Sequence, residues 1–584
     1  ENGNKQKEYI IYNVLRKQDD RDEDDTAPFL GNATVPRKDI DNVTFVSSTV
    51  GKNSTKWDVS AQGDSSILAW YTKNSNGTFK VYVGSDYEIF GNTDSSYLFR
   101  SVGLSENCTS TETITNINLL NVSNVTNMYR MFELTGTNAM TKLDLGNNFN
   151  TSNVTTMSAM FSGTGRKAMT TLNLGSNFNT SRVTNMSWMF NYTGQNKMTS
   201  LNLGNNFDTS NAQHMEHMFS YTGYYSMTTL NLGSKFNTSK VKYMEYMFCG
   251  CGYNALISLD LGSNFDTSNV TNMTSMFQEC GYNALTSLDL GSNFDTSSVT
   301  NMDSMFHSVG YTAMTSLNLG SLFDTSNVTN MLKMFYMTGH DTLTELDLGD
   351  KFNTSKVTNM AYMFTWIGRL KTLNLGDNFD TSNVTDMNGM FWGTGYFQMT
   401  NFSLGNKFNT KNVQDMSYMF YDFANNITSL DLGDQFYTTN ATNMIFMFFN
   451  CGAGKMTSLD LGPAFTKIPD GTAMNYDHAE TLEAYYQMFE GTGKTGSIVI
   501  HAPESIFQDK NNFKLNTSAT TGTINWTRGT INPKYRTEWK KESATLDTTN
   551  KNIKITLRGT TNTAIAVDQY KSDVTSSLTK SNIK

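Results

Sequence analysis

Charge is scarce in this chain. Asp, Glu, Lys and Arg make up 17% of 584 residues, the formal net charge is −9 and the pI is about 5.3. No basic run or stripe occurs, so neither nucleic acid nor an anionic membrane is an expected partner. The acidic run Arg21-Asp22-Glu23-Asp24-Asp25 reads as a solvated loop. No window approaches the roughly 18 apolar residues of a membrane span. No signal peptide is legible, and the start at Glu1 reads as a mature or trimmed chain. The end at Ser581-Asn582-Ile583-Lys584 carries no wall-sorting motif, so the expectation is a fragment that stops before its anchor.

Reactive side chains are equally sparse. The six histidines (His214, His217, His307, His340, His478, His501) show no ligand-like spacing. His214 and His217 read as an i, i+3 surface pair on an outer helix. No Ser-His-Asp or Cys-His set, phosphate loop or dinucleotide motif is present. The expectation is therefore a non-enzyme with no metal and no cofactor. The five cysteines form neither a disulfide framework nor a zinc pattern. Cys251, Cys280 and Cys451 share one repeat position, where Thr stands elsewhere. Stacking would put Cys251 and Cys280 about 5 Å apart, a distance a disulfide can span. The preferred reading is a small buried thiol in the Thr slot.

What the chain has is a repeat. Met-x-x-Met-Phe occurs twelve times, ending at Phe132, Phe161, Phe190, Phe219, Phe248, Phe277, Phe306, Phe335, Phe364, Phe391, Phe420 and Phe448. The first eight steps are 29 residues, followed by 27, 29 and 28. A fixed period of this length implies stacked units, each burying its apolar face on its neighbours. Within one unit, Thr151 and Ser152 suit a helix N-cap. Val154, Met157, Met160 and Phe161 lie at helical spacing, and Gly163 and Gly165 end the segment. Leu172 and Leu174 alternate with Asn173 as in a half-buried strand, Gly175 closes it, and Phe178 turns inward. The expected fold is an α/β solenoid: a leucine-rich-repeat-like array of about 12 helix–loop–strand turns with β-rich caps. Val154, Met157, Met160, Phe161, Met169, Leu172, Leu174 and Phe178 are its expected core. The tag accounts for 24 of 34 methionines, a packing column in preference to a metal or heme ligand set.

Met169-x-x-Leu172-x-Leu174-x-x-Asn177 fits the leucine-rich-repeat template, with Asn148, Asn206, Asn264, Asn293 and Asn378 in the same slot of other turns. Phe178 comes one place earlier than that template wants, so the turn after the strand is expected to be non-standard. Segments such as Leu259-Asp-Leu-Gly-Ser-Asn-Phe-Asp-Thr-Ser-Asn-Val-Thr-Asn-Met-Thr-Ser-Met-Phe277 resemble the BspA-like leucine-rich-repeat surface proteins of Gram-positive and mollicute bacteria. The resemblance covers about residues 95 to 495. Trp57-Asp58-Val59-Ser60 to Ala69-Trp70-Tyr71 resembles the region before such arrays, and Ile553–Gly559 with Leu578–Lys584 resembles the start of an immunoglobulin-like stalk module. The resemblance implies secretion, display on a bacterial surface, and adhesion to a host or bacterial surface protein or glycan. The expected division is an N-terminal cap at 1–95, the array at 96–495, a C-terminal cap at 496–540 and a truncated immunoglobulin-like module at 541–584. Leu98-Phe99 reads as a degenerate first turn and Tyr485-x-x-Met488-Phe489 as a degenerate last one.

Function is sought in columns that depart from the core. The strand column runs Asp144, Asn173, Asn202, Asn231, Asp260, Asp289, Asn318, Asp347, Asn374, Ser403, Asp431, Asp460. It reads as a solvated amide–carboxylate ladder, in preference to a calcium site or a glycosidase pair. The position five after each tag phenylalanine reads Thr137, Arg166, Gln195, Tyr224, Tyr253, Tyr282, Tyr311, His340 and, after a deletion, Tyr396. Consecutive tyrosines on a glycine-rich loop would form an aromatic ridge, the residue type that interfaces favour and sugars stack on. The plainer alternative is that they cover the loop and pack on each other. A third column, the second variable residue of the tag, holds Arg130, Ala159, Trp188, His217, Tyr246 and Ser275 among others, without a pattern that marks a site. The many Asn-x-Ser/Thr sequons read as cap and turn chemistry. The leading expectation is an adhesin or ligand-binding module using Tyr224, Tyr253, Tyr282, Tyr311, His340 and Tyr396. A passive spacer is the alternative. A polysaccharide-degrading enzyme is a minor one, with the 27-residue turn at Trp366-Ile-Gly-Arg-Leu370 the place to look.

Overall fold

The computed structural model describes residues 13–18, 26–49 and 55–469, together with the backbone of six later strands between 497 and 578. The expected Arg21–Asp25 loop and Tyr485–Phe489 turn lie outside the described residues. The chain divides into two compact units, Glu1–Leu285 with Leu290–Phe294, and Thr286–Asp289 with Asp295–Lys584.

The first unit opens with a five-stranded sheet in the order Trp57–Asp58, Leu68–Lys73, Phe79–Gly84, Ile40–Val46, Ile114–Thr115. Its first two pairings are antiparallel and its last two parallel. Alternation explains it: Val43, Phe45, Val81, Val83 and Ala69 are buried. Phe99 then stacks on Phe132 at 5.3 Å, so Leu98-Phe99 occupies the rung before the first tag.

From there the unit is built of parallel rungs. The residue before each tag methionine bridges its counterpart one repeat on, from Asp94 through Asn127, Thr156, Asn185, His214 and Tyr243 to Asn272. The Leu-x-Leu segments form three-residue strands such as Lys142–Asp144 and Thr171–Asn173, paired parallel in register. All eight expected core residues are buried, and the tag phenylalanines stack nearly parallel, Phe132 on Phe161 at 5.4 Å and Phe161 on Phe190 at 5.5 Å. Each such pair contributes about 0.5–1.5 kcal/mol beyond area burial.

The expected α/β solenoid of helix–loop–strand turns is wrong at its helix. Among the described residues the helical elements are two three-residue 3₁₀ segments, Arg37–Asp39 and Ile117–Leu119. An α-helix returns every N–H to the residue four before it. Here the N–H groups of Met157, Ala159 and Phe161 donate to Asn185, Ser187 and Met189 of the next repeat, while those of Met160 and Ser162 close local i, i−3 turns. Half of the hydrogen bonding is exported sideways, and the segment becomes a ladder of turns. Left-handed residues make this possible: Ala159 has φ 53°, Gly163 φ 67° and Gly165 φ 56°. A helix of L-residues holds no such positions. The tight turns still place every third or fourth side chain on one face, so the apolar spacing imitates a helix. Gly165 is also needed for space, since a Cβ there would lie 2.3 Å from that of Met169.

The residues read as N-caps serve the ladder instead. Thr151 Oγ1 donates to the carbonyl of Asn179 one repeat on, and the Ser152 N–H donates to Asn150 Oδ1 in a local turn. The asparagine of the leucine-rich-repeat slot reaches back one repeat, as Asn264 Nδ2 does to the Ser234 carbonyl at 3.2 Å. In the threonine slot Thr164 Oγ1 donates to Phe132 O. Cys251, Cys280 and Cys451 fill that slot as fully buried free thiols.

The second unit repeats this scheme. Asn301, Asn330, Asn359, Asp386, Asp415 and Asn443 bridge in sequence, and the phenylalanines from Phe306 to Phe448 stack at 5.4–5.7 Å. The short turn keeps this register, with Phe364 on Phe391 at 5.7 Å and 7°, so the deletion is absorbed in the loop. Ser458–Asp460 pairs parallel with Ser497–Pro503, which pairs antiparallel with Asn552–Thr560, itself antiparallel to Glu538–Asp547. No helix among the described residues is long and apolar enough to cross a membrane.

Candidate functional site

The site starts from a backbone feature. The loop after each tag is pinned rung to rung, the Asn254 N–H on Tyr224 O at 3.0 Å and the Asn283 N–H on Tyr253 O at 2.9 Å. Side chains at this position therefore repeat at the pitch of the stack. In the first unit Tyr224, Tyr253 and Tyr282 stack face to face, both steps 4.5 Å between centroids with interplanar angles of 17° and 7°. Tyr221 and Tyr225 flank Tyr224 at 5.8 and 4.8 Å, and Tyr225 is 51% exposed. In the second unit Tyr311 stacks on His340 at 4.7 Å and 4°. Tyr396 is not the next member of that stack. Trp366 stands between, 5.8 Å from His340 and 5.9 Å from Tyr396.

The rings are half-buried. Burial raises the phenols of Tyr224 and Tyr311, and burial together with neighbouring Tyr224 takes Tyr253 to about 12. The hydroxyls therefore stay protonated at neutral pH and can donate. The stacking has a chemical consequence: inside the column each ring face is covered by the next ring. A pyranose cannot enter a gap of 4.5 Å, so the column offers a partner its ring edges and a row of hydroxyls.

Two further aromatic groups stack in the first unit, and the first of them is the third column of the sequence. Trp188, His217 and Tyr246 stack at 3.7 and 4.5 Å, with angles of 15° and 5°. Tyr192 and Tyr221 stack at 4.8 Å, with the Arg166 guanidinium 4.7 Å from the Tyr192 ring centre. The third column showed no site pattern because Trp, His and Tyr look unlike as letters while sharing planarity. For the second group, the consecutive Tyr192 and Tyr221 two places after the tag phenylalanine were the available signal. The expected His214–His217 helix-surface pair is corrected with the helix. His217 lies inside the Trp188–Tyr246 stack, and burial lowers its pKa to about 4. His214 stacks on Tyr243 at 4.7 Å and bonds Glu216 at 3.0 Å.

The strand column forms the amide–carboxylate ladder where Asp meets Asn. Asn173 Nδ2 donates to Asp144 Oδ1 at 2.9 Å, and Asn374 to Asp347 at 3.1 Å. Each also closes its own turn, with the Gly146 N–H on Asp144 and the Gly175 N–H on Asn173. Burial would raise Asp144, but the Lys142 ammonium at 2.8 Å and the Gly146 N–H outweigh it and hold the carboxyl below its usual range. Among the described residues no three His, Cys, Asp or Glu side chains group as metal ligands. The 27-residue turn is filled by rings, with Arg369 5.0 Å from the Phe397 ring centre and His340 6.3 Å from it.

The family model described as "Mycoplasma protein of unknown function, DUF285" matches residues 102–229, 136–258, 223–342, 253–372 and 339–458, more than half of the chain in all. The chain belongs to this family. Comparisons with curated proteins and with solved structures returned no match. The DUF285 matches cover the tags from Phe132 to Phe448 and the whole of the tyrosine column, and show a repeat protein.

Proposed function

We propose that this chain is a non-catalytic binding module displayed on a bacterial surface, and that it takes a protein partner along the tyrosine column. The observation that supports this is the run Tyr224, Tyr253, Tyr282, stacked at 4.5 Å in a loop position that the repeat does not require to be aromatic. Other repeats carry Thr137, Arg166 and Gln195 there. Rigid amphipathic rings with protonated hydroxyls suit a protein interface, where Tyr is enriched and little side-chain entropy is lost on binding.

The test is binding of the full chain to a panel of immobilised matrix and bacterial surface proteins. The expected outcome is at least one partner whose affinity falls tenfold or more when Tyr224, Tyr253, Tyr282 and Tyr311 are replaced by Ala. Undiminished binding removes the column from the interface. Failure to bind any member favours a passive spacer, the reading supported by strand-face amides and carboxylates that pair with each other, as Asn173 does with Asp144 and Asn374 with Asp347. Surface display is tested separately, by protease shaving of intact cells. A chain protected until lysis contradicts it.

A further inference from the structure

The second unit departs from the first at the residue that follows the tag phenylalanine. In the first unit this position holds Ser162, Asn191, Ser220 and Cys249, so the fold asks for no ring there. In the second it holds Trp392, Tyr421 and Phe449 on three consecutive rungs, and Tyr418 and Phe446 stand three places before the last two. Tyr421 stacks on Phe449 at 4.7 Å and 12°, and Trp392 stacks on Tyr418 at 5.5 Å and 20°. Trp392 also lies 5.1 Å from Tyr421, and Tyr418 5.5 Å from Phe446. Tyr362 continues the group, 6.4 Å from Trp392. All six rings are partly exposed. They form a band two rings wide.

The charge among these rings is of one sign. From the residue before each tag to the second residue after it, the repeats at Met387, Met416 and Met444 hold Asp386, Asp415 and Asp422 and neither Lys nor Arg. Asp386 and Asp415 pair on adjacent rungs. Neutral groups donate to both: the Asn388 N–H to Asp386, and the Ser417 N–H and Asn443 Nδ2 to Asp415, each at 2.9 Å. Burial, with Asp415 alongside, raises the Asp386 carboxyl against the pull of the Asn388 N–H. Asp415 and Asp386 add to the effect of burial in raising the Tyr362 phenol, so both carboxylates act on the rings.

One rung before the band, the chain shows what such rings accept. Lys333 shares a column with Tyr362, and its ammonium lies 5.9 Å from the Tyr362 ring centre and 6.0 Å from that of Tyr336. A cation within about 6 Å of a ring centre is attracted to the electron-rich face. Past Tyr362 the rings and carboxylates continue, while the tags bring no further cation.

We infer that the band of Tyr362, Trp392, Tyr418, Tyr421, Phe446 and Phe449, together with Asp386 and Asp415, is a docking surface for an arginine-rich segment of another protein. A guanidinium lies flat on an aromatic face and bonds carboxylates through its edge, which suits this mixture of rings and acids better than an ammonium does. The surface lies wholly within the second unit and uses none of the tyrosine column, so it stands or falls separately from that interface.

The experiment is fluorescence anisotropy of a labelled peptide of alternating arginine and glycine, titrated with the full chain, beside its glutamate counterpart. The arginine peptide is expected to bind and the glutamate peptide is not. Asp386→Asn with Asp415→Asn should weaken binding about tenfold or more, in a fold that already holds Asn359 and Asn443 at this position. Trp392→Ser with Tyr421→Ser, which installs the residue of Ser162 and Ser220, should do the same. Asp260→Asn with Asp431→Asn removes equal charge from the strand column and should leave binding unchanged. The variant of Tyr224, Tyr253, Tyr282 and Tyr311 should bind as the parent does. No binding of the arginine peptide, or binding that survives the Asp386 and Asp415 variant, overturns the inference. So does an equal loss in the Asp260 and Asp431 variant, which would reduce the effect to net charge.

Discussion

Two of the stacked aromatic columns in the first unit differ in one respect, access to water. The phenylalanines from Phe132 to Phe277 are fully buried, with steps of 5.4–5.6 Å. The tyrosines from Tyr224 to Tyr282 repeat at 4.5 Å and are half-buried. Both spacings come from the backbone ladder, which sets one rung per repeat. Burial sets the tolerance. A phenylalanine is held by neighbouring rungs and by a second ring wall, as Phe161 is by Phe178 at 6.2 Å, and the tag never varies there. The tyrosine position takes Thr137, Arg166 or Gln195 elsewhere, so its chemistry is free to serve a partner.

That contrast can be broken or sharpened by substitution. The largest effect is expected at the buried column: Phe219→Ala should cost about 3–5 kcal/mol in denaturant unfolding, against about 1 kcal/mol or less for Tyr253→Ala. Equal losses would mean that the tyrosines are core. Next comes Gly223→Ala. It forces a side chain onto φ 52° with Cβ 2.3 Å from that of Met227, and a destabilisation of about 1–3 kcal/mol is expected in the same assay. A smaller loss, about 1 kcal/mol, is expected for Thr164→Val, which removes the hydroxyl donating to Phe132 O at 2.6 Å but keeps the shape.

The last test is a pH dependence. Burial lowers the pKa of His217 to about 4 from an ordinary 6.5, so the unfolded chain binds more protons between those values. The stability that the neutral ring contributes is complete above about pH 6.5. It is lost progressively as pH falls toward the folded value of about 4. His217→Phe should flatten the slope of stability against pH in that window. An unchanged slope would show that the ring is hydrated in the stack.

Much of this was legible because repetition averages out accident. Val154, Met157, Met160 and Phe161 were correctly placed in the core, since apolar residues recurring at one position in a dozen units have only the neighbouring unit to bury against. Their secondary structure was misread, because spacing reports which side chains share a face and not where the backbone N–H groups go. The left-handed Ala159, Trp188 and His217 gave no warning, as none is a residue type that announces positive φ. For the same reason the column of Trp188, His217 and Tyr246 was not read as a stack, and His214 and His217 were read as a surface pair.

The amino-acid sequence by itself determined the period, the buried columns and the positions left variable, because those follow from composition at fixed spacing. Only the tertiary structure decided that half of each tag's hydrogen bonds run between repeats, and that Tyr224, Tyr253 and Tyr282 close each other's faces. Both depend on what the next repeat places a few ångströms away, and no single repeat contains that information.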